Sequence, residues 1–178
     1  MRIVATLIAA VGLLAFGVQA QAPSYQPGPH NISVPPAWQA RFVRYTTVDK
    51  PDRKIIRNLY INPEAFALIR KGEPLPDGTL IVMADQRARL DAEGNPLLDT
   101  NGRFIPDPPI IAIGVQQKQR GWGEGYPADK RNGEWEYASF TPELQLRDVN
   151  LNGCFACHLP RAAQDYTFTT WDYAQARR

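Results

Sequence analysis

The stretch Cys154-Phe155-Ala156-Cys157-His158 has two cysteines three positions apart and a histidine directly after the second cysteine. If this stretch forms a helical turn, both thiols lie on one face, because residues i and i+3 are neighbours on a helix. The Cys-x-x-Cys-His order is the attachment pattern of a c-type haem. It therefore predicts one covalent haem, bound through Cys154 and Cys157, with His158 as the proximal iron ligand.

Three other interpretations of this stretch compete with a haem. A thioredoxin-like dithiol is expected near a β-α-β pattern, which does not precede the stretch. A structural zinc ion needs four nitrogen or sulfur ligands. Besides Cys154, Cys157 and His158, the sequence has only one other histidine, His30, which lies in a distant Pro/Gly-rich segment. A disulfide between Cys154 and Cys157 would close too short a loop to stabilise the chain much.

The first twenty residues have the organisation of a secretory signal peptide. Arg2 precedes an apolar run over residues 3–18, and Val18-Gln19-Ala20 fits a signal-peptidase site. The apolar run is short for a membrane span. We therefore expect cleavage near Ala20 and a periplasmic location, which agrees with haem c because bacteria attach that haem outside the cytoplasmic membrane.

The remainder of the chain divides into a short arm and one domain. Residues 21–37 are rich in proline and polar groups and predict an extended N-terminal arm, in which His30 is either an exposed loop residue or a distal haem ligand. Residues 38–178 have the length of a single haem domain. The 20 Lys and Arg residues nearly balance the 18 Asp and Glu residues, which argues against nucleic acid as a partner.

Several runs of β-branched and aromatic residues predict strands. They lie at residues 54–61, 79–84, 110–115 and 135–140. Asn62-Pro63-Glu64 predicts the start of a short helix, with Asn62 as N-cap and Gly72 at its end. The Asp, Asn and Gly clusters at residues 91–102 predict hairpin turns rather than a calcium site, because their spacing differs from that of an EF-hand.

The order of these features resembles the cytochrome P-460 / cytochrome c′-β family of exported bacterial c-type cytochromes. The matching pieces are residues 57–63, the turn at residues 76–79 with its strand, Gly121-Trp122-Gly123, Trp135-Glu136-Tyr137 with Phe140, and residues 154–160 followed by Asp165 and Phe168. The resemblance implies an α+β fold with a predominantly antiparallel β-sheet, a few short helices and one covalent haem near the C-terminus. It also implies a homodimer, His158 as proximal ligand and an open second face of the iron.

One position departs from the P-460 branch of this family. In that branch a lysine on the strand after the Pro-Asp-Gly turn is cross-linked to the porphyrin, and its members oxidise hydroxylamine. This sequence has Met83 at that position and no lysine between Lys71 and Lys118. Methionine cannot form the amine link, so the resemblance favours ligand binding as in the c′-β branch, which binds nitric oxide.

Three functions follow as hypotheses. The first is a five-coordinate haem that binds nitric oxide or acts on small nitrogen oxides, with a redox partner protein. The second is an electron-transfer cytochrome in which Met83 or His30 fills the sixth position. The third is hydroxylamine oxidation with Glu134 or Glu136 as base. The candidate haem-pocket residues are Phe42, Met83, Trp135, Tyr137 and Phe140.

Overall fold

The structure, a computed structural model, describes residues 26–175. Its centre is one five-stranded antiparallel sheet whose strands are adjacent in chain order. The strands are β1 (Val43–Lys50), β2 (Ile55–Ile61), β3 (Leu80–Ala88), β4 (Pro106–Lys118) and β5 (Trp135–Phe140), and the helices are α1 (Trp38–Arg41), α2 (Pro63–Leu68), α3 (Asn152–His158) and α4 (Thr170–Gln175). The predicted α+β class, mainly antiparallel with few short helices, is confirmed.

The four predicted strands are present, and two of them are longer than the sequence pattern indicated. β3 and β4 continue past their apolar runs, because the ladder extends to the pairs Gln86–Ile110 and Ala88–Pro106. Ladder hydrogen bonds use backbone groups that almost every residue supplies. The polar ends of these strands therefore pair although their side chains carry no strand pattern.

Side chains alternate between the two faces of the sheet, and both faces are covered. The back face is packed by Ile32, Val34, Trp38, Leu80, Val82, Ala84, Ile113, Val115, Ala138 and Phe140. The cavity face is packed by Tyr45, Ile61, Ile69, Leu75, Ile81, Trp135, Tyr137, Phe155 and Ala174. Helix α3, with the Cys-x-x-Cys-His stretch, therefore lies on the cavity face.

The described part of the Pro-rich arm packs on the back face. The Asn31 side chain donates to the Glu136 carboxylate at 3.1 and 3.3 Å, and the Gly28 N–H donates to it at 3.0 Å. Ile32 and Val34 are buried in the same place. Residues 26–37 thus belong to the packed domain, whereas the predicted signal peptide lies outside the described residues. Within residues 26–175, no helix combines the length and the apolar character needed to cross a membrane.

Helix α2 begins at Pro63 with Asn62 at the N-cap position, as predicted, but the Asn62 side chain forms no capping hydrogen bond. The Asn62 side chain instead accepts a hydrogen bond from the Leu80 N–H at 2.9 Å, which ties the start of β3 to the end of β2. The helix ends at Leu68, before Gly72. Leu68, the last residue of the helix, is 63% exposed.

The connection between β3 and β4 forms hairpin turns, as predicted. Asp91 Oδ1 accepts from the Asn95 N–H at 2.7 Å, and Asp99 Oδ1 accepts from the Asn101 N–H at 2.8 Å. These carboxylates therefore bind the backbone of their own turns.

Candidate functional site

Helix α3 presents the Cys-x-x-Cys-His stretch toward one cavity. Phe155 anchors the helix, since its ring centroid lies 4.9 Å from that of Tyr137 and 5.1 Å from that of Tyr126. With Phe155 buried, Cys154 and Cys157 both border the cavity as free thiols. Burial raises the pKa of the Cys154 thiol.

His158, the last residue of α3, is oriented by a backbone acceptor. Its Nδ1 lies 2.7 Å from the carbonyl oxygen of Tyr166. Since a carbonyl only accepts, Nδ1 carries the proton and Nε2 keeps its lone pair. The imidazole is held between the rings of Tyr137 and Phe168, with centroids 5.0 and 4.9 Å away. Burial lowers the pKa of His158, which favours the neutral form that binds metal.

The cavity has a volume of about 400 Å³ and mostly apolar walls. This volume falls in the usual range for small-molecule and cofactor sites. The sheet and the C-terminal segment form the walls opposite and beside α3, through Tyr45, Val48, Lys50, Arg57, Leu59, Ile81, Met83, Gly114, Val115, Gln116, Tyr137, Ala138 and residues 167–170.

Met83 lies in this wall, at the centre of the sheet. It pairs with Leu59 on β2 and with Gly114 on β4. A Cβ atom built on Gly114 would lie 2.6 Å from the Met83 Cε, so the absent side chain of Gly114 makes room for the thioether. Met83 therefore packs along the sheet as a wall residue.

Arg57 is a cavity residue that the sequence analysis did not identify. Its Nε and Nη2 donate to the two carboxylate oxygens of Asp85 at 2.8 and 2.9 Å. The carboxylate, with a side chain 5% exposed, raises the pKa of Arg57. This bidentate pair fixes a cationic group in a mostly apolar wall that Lys50 also lines. The period of two along β2, which places Arg57, Leu59 and Ile61 on one face, is the signal that could have found it.

Two of the predicted aromatic residues lie on the cavity face. Tyr137 borders the cavity, and Trp135 is buried beside it without lining the space. Asn132 supports this region, because its Nδ2 donates to the Tyr137 hydroxyl at 2.9 Å and to the Phe155 carbonyl at 3.1 Å. Asn132 thereby links β5 to helix α3. Burial raises the pKa of Tyr137, so the phenol is neutral.

The placement of Phe42 and Phe140 in the haem pocket is corrected. Phe140 packs in the back face, because it shares the parity of Glu136 and Ala138 on β5 rather than that of Tyr137. Phe42 precedes β1 and packs against the same back-face cluster, with its ring centroid 6.4 Å from that of Trp38. The sheet therefore separates both phenylalanines from the cavity.

The back face also holds two further residues considered at the sequence level. His30 is exposed in the segment that packs there, so it is not placed to fill the sixth position of an iron bound by His158. Glu136 is fully buried and accepts hydrogen bonds from Asn31 and from the Tyr126 hydroxyl. It therefore holds the N-terminal segment, and the suggestion that it acts as a base in the pocket is wrong.

The cavity residues fit a covalent haem. Two free thiols at positions i and i+3 face the same apolar space as one imidazole whose Nε2 keeps its lone pair. Cys154 and Cys157 would bind the porphyrin edge, and His158 would bind the iron. The imidazole is already oriented by a hydrogen bond to a carbonyl, as is usual for histidines that bind metals.

Comparison with models of known protein families gave a match. A family model described as Cytochrome P460 matches residues 35–169, which include all five strands and the Cys-x-x-Cys-His stretch. No curated protein matches the chain.

Proposed function

The chain belongs to the cytochrome P460 family, and we propose that it is a mono-haem c-type cytochrome whose iron binds nitric oxide or acts on small nitrogen oxides or hydroxylamine. The family supports the general assignment as a haem-binding cytochrome. The covalent attachment through Cys154 and Cys157, with His158 as the proximal ligand, is our proposal for this chain.

One observation carries the proposal of an open iron position. The sequence has two histidines, and His158 borders the cavity while His30 lies with the back-face segment. A haem bound here would supply an iron that can take a small ligand, since no second histidine borders the cavity among residues 26–175. The mostly apolar walls suit a small uncharged ligand such as nitric oxide.

The ferrous absorption spectrum tests this proposal, with the two histidines as a matched pair. The protein is produced together with the haem-attachment machinery. We expect a broad high-spin spectrum for the wild type and for His30→Ala, and a different spectrum for His158→Ala. A split low-spin spectrum of the wild type, or an unchanged spectrum of His158→Ala, would contradict the proposal. Titration with nitric oxide should then shift the spectrum of the wild type.

A second function, electron transfer, is favoured by the position of Met83 in the cavity wall. A thioether that left Gly114 and bound the iron would fill the sixth position and raise the reduction potential. Met83→Leu separates the two functions, because leucine conserves the volume and removes the sulfur. If the open-site proposal holds, the spin state of Met83→Leu equals that of the wild type. A change from low spin to high spin in this variant would establish the electron carrier.

Export and assembly form the remaining part of the proposal. The composition of residues 1–20 supports cleavage near Ala20 and a periplasmic location. We further propose a homodimer that exchanges electrons with a redox partner protein. N-terminal sequencing of the exported protein tests the cleavage, and light scattering of the purified protein tests the dimer.

A further inference from the structure

The turn at residues 165–166 follows the Cys-x-x-Cys-His stretch, which we call the haem stretch. This turn holds the Tyr166 carbonyl, the hydrogen-bond acceptor of His158, in an unfavourable backbone conformation. Asp165 and Tyr166 both have positive φ angles, 49° and 56°. Consecutive non-glycine residues in the left-handed region are disfavoured, because Cβ crowds the following carbonyl group. The direction of the Tyr166 carbonyl, 2.7 Å from His158 Nδ1, therefore depends on contacts that hold this turn in place.

The Asp165 side chain makes these contacts with a distant part of the chain. Its Oδ2 accepts from the Lys118 Nζ at 2.7 Å and from the Leu75 N–H at 2.7 Å. Lys118 Nζ also donates to the Leu75 carbonyl at 2.9 Å. The side chains of Lys118 and Asp165 are only 11% and 13% exposed, so this ion pair is shielded from water.

Lys118 is itself fixed to the sheet. It is the last residue of β4, its N–H donates to the Thr79 carbonyl at 2.9 Å, and its carbonyl accepts from the Gly78 N–H at 2.9 Å. Its ammonium group lies 5.9 Å from the ring centroid of Trp135. The ion pair thus connects the turn after the haem stretch to a rigid strand end.

We propose that Lys118 and Asp165 are positioning residues that hold the Tyr166 carbonyl against His158 and so set the strength of the bond between His158 and the haem iron. A hydrogen bond to Nδ1 makes the imidazole a stronger donor at Nε2. Neither Lys118 nor Asp165 lines the cavity, so they act on the iron through the turn. This inference rests on the proposed haem at His158.

Asp165→Asn and Lys118→Met test the inference in the haem-loaded protein. The Asp165→Asn substitution keeps an acceptor for the Leu75 N–H but removes the charge that holds Lys118. Asp49→Asn is the matched control, since Asp49 forms an ion pair of the same length, 2.7 Å, with Arg103 and contacts neither the turn nor His158. The readouts are the iron–histidine stretching band of the ferrous protein, by resonance Raman spectroscopy, and the reduction potential.

We expect both test variants to lower the frequency of the iron–histidine band. Their reduction potential should rise, because a weaker imidazole donor stabilises ferric iron less. Loss of an outer hydrogen-bonding partner typically costs about 10–100-fold in metal affinity, and a loss about tenfold larger for ferric than for ferrous iron corresponds to about 59 mV for a one-electron couple. Asp49→Asn should leave both readouts at the wild-type values.

A merely structural role would give a different result. Test variants that unfold more easily but keep the wild-type band and potential would overturn the inference and leave the proposed function intact. If a single variant does not fold, Asp165→Asn combined with Lys118→Met removes both charges together, and its potential decides in the same way. A wild-type protein without covalent haem would instead refute the proposed function, and the inference with it.

Discussion

Asn132 joins the sheet to helix α3, and its replacement by alanine measures how much this link stabilises the protein. The substitution removes two hydrogen bonds, at 2.9 Å to the Tyr137 hydroxyl and at 3.1 Å to the Phe155 carbonyl. Each typically contributes about 1 kcal/mol. The Tyr137 hydroxyl can rotate, and the Phe155 carbonyl keeps the hydrogen bond from the Leu159 N–H. We therefore expect a loss of about 2 kcal/mol.

Urea unfolding of the haem-loaded protein, followed by Soret absorbance and tryptophan fluorescence, measures this loss. With a slope of about 2 kcal/mol per molar urea, the midpoint of Asn132→Ala should fall by about 1 M. The matched control is Asn101→Ala, since Asn101 is exposed in a hairpin turn and surface changes usually stay within about 0.5 kcal/mol. Equal midpoints for the two variants would refute the link between β5 and α3.

Three further predictions concern other parts of the domain. A Cβ atom on Gly123 would overlap the carbonyl oxygen of Gly133, and neither backbone segment can move freely. Gly123→Ala should therefore lower the free energy of unfolding by at least about 3 kcal/mol, measured by thermal unfolding. A variant with the wild-type melting temperature would show that the two backbone segments do not approach this closely. Arg103 lowers the pKa of Asp49 through a hydrogen bond. The ion pair therefore stabilises the protein above about pH 4, the pKa of Asp in the unfolded chain. This contribution disappears as the pH falls through the lower pKa that Asp49 has in the folded protein. The stability difference between wild type and Asp49→Asn should shrink over that range in urea titrations, and a difference independent of pH would contradict the assignment. Glu136→Gln should increase amide hydrogen exchange in the N-terminal segment, because Glu136 binds that segment on the back face. The haem spectrum of this variant should stay unchanged. An altered spectrum together with wild-type hydrogen exchange would place Glu136 at the haem pocket.

Four of the five strands could be predicted from the sequence, whereas β1 was not predicted, and the faces of the sheet could be predicted only in part. The alternation along β5 correctly grouped Trp135 with Tyr137, because side chains two positions apart share a face. Phe140 follows Ser139 and has the opposite parity, so its assignment to the pocket was wrong. Phe42 lies outside the strands, where no alternation applies, and its side depends on the packing of α1 against the back face.

The positions of polar residues around the cavity could likewise be predicted from the sequence only in part. The period of two along β2 places Arg57 on the face of Leu59 and Ile61, but the ion pair that holds it in the cavity wall is formed with Asp85 on the neighbouring strand. His30 and His158 could not be distinguished as iron ligands by residue type alone. Their separation by the sheet follows from the packing of residues 26–37 on the back face.

The sequence by itself determined what depends on near neighbours along the chain. The i and i+3 spacing of Cys154 and Cys157 places both thiols on one side of a helical turn, and β-branched runs favour strands, because both effects arise within a few residues. The tertiary structure alone decided the contacts between distant residues. Leu75 and Asp165 are 90 positions apart, and Lys118 and Asp165 are 47 apart. No local pattern encodes such contacts, because they form only when folding brings the end of β4 and the turn after α3 together.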